Sequence, residues 1–199
     1  IAEIGAGSAA INLAGNNSPL SGALAGAVAI GQFDNSTDAR IAGSQLTGIY
    51  DTTVQAVSGG RATVVGLGVA AASSNGGAIA ISAALGLVTN RVAASIADSS
   101  LSATQGLSAS QAVRVNAYQT TDIGIGGGAA YGGGQVGVGM ALTYADIRDP
   151  DGKEAVSAKV LRSSLTGIDS LQVRATNASR IASSAATGGL GGNGLGGAF

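Results

Sequence analysis

The sequence predicts an all-β protein, a parallel β-solenoid built from repeats of about 60 residues. Three observations predict it. A set of anchor residues recurs in one order along the 199 residues, and the runs between anchors alternate with period two. The composition, with 34 glycines, 2 prolines and 6 aromatics, lacks the large side chains of an ordinary globular core.

The anchors come first. Ala39, Ile41, Ser44 and Leu46 recur as Ala94, Ile96, Ser99 and Leu101, and again as Ala158, Val160, Ser163 and Leu165. The shared pattern is A-x-[IV]-x-x-S-x-L. Downstream of each copy stand Val54-Gln55-Ala56, Val115-Asn116-Ala117 and Val173-Arg174-Ala175. Five residues beyond these alanines lie Arg61, Asp122 and Arg180, and Glu3 takes the same phase at the start. The chain therefore divides into repeats 3–60, 61–121 and 122–179 with a partial fourth at 180–199. It reads as one array, a fragment of a longer chain that begins at Ile1.

Within each unit, Val54/Ala56, Val113/Val115/Ala117 and Leu171/Val173/Ala175 alternate with other residues, the signature of half-buried strands. Neutral blocks alternate large against small, as in Val136-Gly137-Val138-Gly139-Met140 and Ala78-Ile79-Ala80-Ile81. There, glycine and alanine let another sheet approach closely. Ser58-Gly59-Gly60, Asn75-Gly76-Gly77 and Pro150-Asp151-Gly152 supply turns. Three coils of about 20 residues or one wide turn of about 60 both accommodate a repeat. The series Glu3, Arg61, Asp122, Arg180 alternates in sign, which favours the wide turn, because each charge then meets its opposite on the neighbouring rung.

Charge is distributed unevenly. Ile4–Phe33, Ala62–Asn90, Ile123–Ala145 and Ile181–Phe199 carry none of the 21 charged residues. These blocks are long enough for membrane helices, but the Ser73-Ser74-Asn75-Gly76-Gly77 break and the many glycines after Ile123 oppose a helical span.

Several function classes fall away. Without Cys or His there is no thiol chemistry, no Cys/His zinc site and no Ser-His-Asp triad. A net charge of −1 opposes nucleic-acid binding, and no enzyme activity or cofactor is expected. The G-x-G motifs at Gly5, Gly66 and Gly124 recur once per repeat, as packing glycines do. Asp146, Asp149, Asp151 and Glu154 form the densest acidic cluster, on a turn inserted into the third repeat, and make a weak candidate site for calcium.

The unit resembles those of very large secreted bacterial filamentous adhesins, the leukotoxin-like and filamentous-haemagglutinin-like proteins of Gram-negative cells. Asn90, Ala94-Ser95-Ile96, Ser99, Leu101, Val113-Arg114-Val115-Asn116-Ala117 and Ile123 carry the likeness. Asn35 precedes Ala39 by four residues as Asn90 precedes Ala94, whereas Glu154 replaces this Asn in the third repeat. The resemblance implies export to the cell surface or beyond, a right-handed β-helical stalk, and roles in attachment, aggregation or biofilm. It implies partners of two kinds: further repeats or copies, and a host or neighbouring cell surface. Two other readings remain at this stage, a calcium- or glycan-binding module on a solenoid and a membrane-inserted toxin segment.

Overall fold

The computed structural model describes residues 2–12, 22–72, 76–103, 111–133, 135–148, 155–190 and 193–199. Every element among them is a strand. In chain order these are β1 (Ala2–Asn12), β2 (Gly22–Ala42), β3 (Gln45–Ile49), β4 (Thr52–Ala72), β5 (Gly77–Ala97), β6 (Ser100–Ala103) and β7 (Ala112–Gly132). There follow β8 (Val136–Arg148), β9 (Val156–Leu161), β10 (Ser164–Thr166), β11 (Ser170–Asn177), β12 (Arg180–Leu190) and β13 (Asn193–Ala198).

All pairing is parallel and falls into three sheets. Sheet A runs β1, β4, β7, with β11 and β12 following one another along β7. Sheet B contains β2 and β5, then β8 and β9 end to end along β5, with β13 beside β8. Sheet C is β3, β6, β10. The chain thus passes from sheet B through C to A and returns to B one strand further along. Parallel partners require such crossovers, and the pattern is that of a β-helix or solenoid.

The register brings the sequence anchors together. Ala39, Ile41 and Leu46 sit beside Ala94, Ile96 and Leu101, which in turn sit beside Ala158, Val160 and Leu165. Val54 and Ala56 lie beside Val115 and Ala117, then Val173 and Ala175. Two extra lengths are absorbed between strands. The offset along β5 is 59 residues at Thr89–Arg148 and 64 at Val92–Val156, so five additional residues lie between β8 and β9. Likewise Gln45–Ser100 differ by 55 and Thr52–Val113 by 61, which places six more residues between β6 and β7.

Two zones of core result. Where all three sheets meet, Val54, Val92, Ile96, Leu101, Val113 and Val115 form a buried prism, with Leu46, Val160 and Leu165 packed against it. Beyond it, sheets A and B face each other alone as a flat two-sheet blade. Its core shrinks from Val64, Val88, Ile123 and Ile125 to a layer of alanines that includes Ala25, Ala70, Ala80 and Ala129. The sheets come close enough that a Cβ on Gly66 would stand 2.7 Å from the Ala83 carbonyl oxygen, and one on Gly68 2.5 Å from that of Ile81. The described parts of the four uncharged blocks are this blade, and the charges lie at its base and around the prism.

Candidate functional site

Among the described residues no group of three or more potential metal ligands occurs, and the polar side chains with the best-defined bonds are those that stack circuit on circuit. The corner between sheets B and C is the best defined. Gly43, Asp98 and Arg162 occupy it with φ of 57°, 50° and 45°. This left-handed backbone turns the chain sharply and points N–H groups along the stack. Gly43 N–H donates to the Ala97 carbonyl at 3.0 Å, and Asp98 N–H to that of Leu161 at 3.0 Å.

The next residue is always the anchor serine. Ser44, Ser99 and Ser163 each donate their hydroxyl to the carbonyl two residues back, at 2.7–2.9 Å. Ser99 Oγ accepts the Ser44 N–H at 3.1 Å, and Ser163 Oγ accepts the Ser99 N–H at 3.2 Å. The Ser99 and Ser163 hydroxyls therefore join their own turns to the neighbouring ones, and the A-x-[IV]-x-x-S-x-L pattern acquires a physical reason. The αL position before each serine has no sequence signature, since Gly, Asp and Arg occupy it.

Asp98 and Arg162 also pair at this corner, with both carboxylate oxygens accepting from the guanidinium. That hydrogen bond holds the Asp98 carboxyl below the usual aspartate range and raises the Arg162 guanidinium. Between sheets C and A, carboxylates cap backbone instead. Gln111 N–H donates to Asp169 Oδ2 at 2.8 Å and Ala112 N–H to Asp51 Oδ1 at 3.1 Å, so the start of β7 is held from both neighbouring circuits. Arg114 lies 3.6 Å from the same Asp51 carboxylate.

The charge series is partly assembled. Arg61, Asp122 and Arg180 are neighbours on β4, β7 and β12. Glu3 is not in this column: it stands opposite Thr63, two residues beyond Arg61. The sequence alignment misplaced it because a shift of two leaves every side chain on the same face of the strand. The ion pairs among described residues include Arg114–Asp51, Arg148–Asp146 and Arg162–Asp98, and none joins the Arg61–Asp122–Arg180 column.

The acidic cluster is seen only at its edge. Asp146 accepts a hydrogen bond from Arg148, which raises the arginine, and one from Tyr144 Oη at 3.3 Å. Asp149, Asp151 and Glu154 lie outside the described residues, and no group of three or more potential metal ligands occurs among the described ones.

A polar belt divides prism from blade. Asn35 and Asn90 are in register, and their side-chain amides cross between the sheets to Ser58 Oγ and, at 2.6 Å, to Thr121 Oγ1. Beside them is a pocket of about 170 Å³ whose lining includes Phe33, Arg61, Val88 and Asn90. Gln119 is wholly buried in β7, and neither atom of its amide has a protein partner. The sequence singles out the two asparagines but predicts a turn at Ser58-Gly59-Gly60, whereas these residues lie within β4, and it gives no sign of Thr121 or Gln119. The G-x-G motifs lie inside strands β1, β4 and β7 rather than in a strand-to-helix loop.

Among the described residues no helix is long and apolar enough to cross a membrane. Compared with known proteins, the chain matches no family model, no curated protein and no solved structure.

Proposed function

We propose that the chain is a structural segment of an extracellular bacterial fibre or filamentous adhesin. In this reading it is a right-handed β-solenoid with about 60 residues per circuit, displayed at the cell surface for attachment, aggregation or biofilm. One observation carries the proposal: the ladder Ser44–Ser99–Ser163, in which each serine hydroxyl caps its own turn and those of Ser99 and Ser163 accept the backbone N–H of the preceding circuit's turn. A bond pattern that repeats by translation builds a stalk of any length from equivalent layers. The Ser99 and Ser163 hydroxyls and the Asp51 and Asp169 carboxylates likewise bind backbone of adjacent circuits, which suits a scaffold.

The test is immunogold electron microscopy of the source cells with an antibody to this segment. Labelled surface filaments whose diffraction shows a layer spacing of about 4.8 Å are expected. Label confined to the cytoplasm, or to compact isolated particles, overturns the proposal.

A further inference from the structure

The blade is inverted relative to an ordinary sandwich. On sheet B the inward positions are small: Ala23 and Ala25 on β2, Ala78 and Ala80 on β5, Ala141 on β8. Most of the intervening positions, which face outward, are large and aliphatic, with Gly26 and Ala83 among the exceptions. Leu24 is 68% exposed, Val28 62%, Ile79 42%, Ile81 41%, Met140 48% and Leu142 50%. The register sets them in adjoining columns, with Leu24 beside Ile79, Ile81 beside Met140, and Val28 in line with Leu142 through Ala83. The uncharged blocks place no ionised side chain among them. On this part of sheet B the larger apolar side chains thus point away from the protein and the small ones into it, and isolated soluble proteins rarely carry so continuous a patch.

We infer that the outer face of sheet B is a homotypic docking surface, on which a second copy of this chain packs its own sheet B. This lateral contact is separate from stacking along the axis, and it holds whether or not the protein is an adhesin. Nine residues on each of β2, β5 and β8 and the six of β13, at about 3.3 Å per residue and about 4.8 Å between strands, give a face of about 520 Å². Two such faces bury roughly 1,040 Å², close to the roughly 1,000 Å² that a specific interface needs. A face without charge is compatible with itself, since no like charges meet across a two-fold axis.

A lipid surface fits less well. A net charge of −1 gives no attraction to anionic headgroups. On the opposite face of the blade, sheet A turns Leu67 and Val69 outward in β4, 52% and 45% exposed, but Gly124, Gly126 and Gly128 in β7, so its aliphatic patch is narrower than that of sheet B. The broader patch suits a partner lying flat against sheet B.

Sedimentation equilibrium of the chain tests the inference. A reversible dimer is expected, with Kd raised at least about tenfold in both Ile81→Lys and Leu142→Lys and unchanged in Thr47→Lys on sheet C. Met140 is the single methionine. In the unaltered chain its ¹³C-methyl NMR signal therefore reports on this face and is expected to shift with protein concentration, whatever the variants do to folding. Three results overturn the inference. They are a monomer at all concentrations with a fixed Met140 signal, a dimer indifferent to both lysines, and flotation of a monomer with phosphatidylcholine or phosphatidylglycerol vesicles.

Discussion

Arg162 donates Nε to Asp98 Oδ1 at 2.6 Å and Nη2 to Asp98 Oδ2 at 2.8 Å, and both residues hold left-handed backbone at the same corner of successive circuits. Where the first circuit uses Gly43, which adopts this conformation without a Cβ penalty, the later ones use residues that pay one and set a paired fork across the step. The pair is solvent-exposed, so screening keeps its contribution small.

That pair has a pH signature. Asp98 titrates below its ordinary value because Arg162 donates to its carboxylate. Its contribution is therefore complete above the unfolded aspartate pKa of about 3.9 and disappears as the pH falls through the lowered folded value. Thermal melts at low salt between about pH 5 and pH 2 are expected to show the parent losing up to about 2 °C more than Arg162→Asn. Parallel pH profiles for the two proteins would remove this role.

The serine ladder predicts a ranking. Ser99→Ala deletes a hydroxyl that donates to Ala97 and accepts from Ser44 N–H, in a buried position, and should cost about 1–3 kcal/mol. Ser163→Ala loses equivalent bonds at a more exposed site, and Ser44→Ala loses only the bond to the Ala42 carbonyl. Urea denaturation should order the losses as Ser99, then Ser163, then Ser44. Equal losses at the three positions would contradict the ladder.

Glycines of one strand face and another should respond oppositely. At Gly66 and Gly68 a methyl group meets fixed backbone of sheet B, so either Gly→Ala change should destabilise by about 1–3 kcal/mol. At Gly26, on the outer face, an added Cβ meets nothing within 4 Å, and Gly26→Ala should be neutral or stabilise by up to about 1 kcal/mol. The comparison of denaturation midpoints checks both, and a stable Gly68→Ala protein would mean that the sheets separate readily.

Much of this arrangement is legible in the sequence, for reasons that the structure makes specific. Leu46, Leu101 and Leu165 align because they fill one column of the prism, and the serines align because each caps its own turn and two of them also hold the neighbouring one. Neutral and charged segments alternate because the chain leaves the prism for the blade and returns. Other features leave no trace in a single sequence. Strict alternation separates two faces of a strand but does not say which is inside, so Ala78-Ile79-Ala80-Ile81 gives no warning that the isoleucines point outward. The same two-residue ambiguity placed Glu3 beside the wrong neighbour. Arg162 at an αL position is invisible for a different reason: backbone conformation there is imposed by stacking on Asp98, against the residue's own preference.

Gln119 shows what the polar belt costs. Its neighbours on the belt are satisfied, Asn90 by Thr121 and Asn35 by Ser58, whereas its own amide is fully buried with no protein donor or acceptor in reach. A buried amide without partners costs about 1–3 kcal/mol, and an unbranched apolar chain of similar volume does not incur that penalty. Gln119→Met should therefore raise stability by about 1–2 kcal/mol. Asn90→Ala should lower it by about 1–3 kcal/mol, since it strands the Thr121 hydroxyl between the sheets. Urea titrations of the two variants decide the matter through the sign of each change. A loss in Gln119→Met as large as that in Asn90→Ala would mean that the Gln119 amide is bound in the folded protein, and that the belt is one continuous polar network rather than two separate bridges.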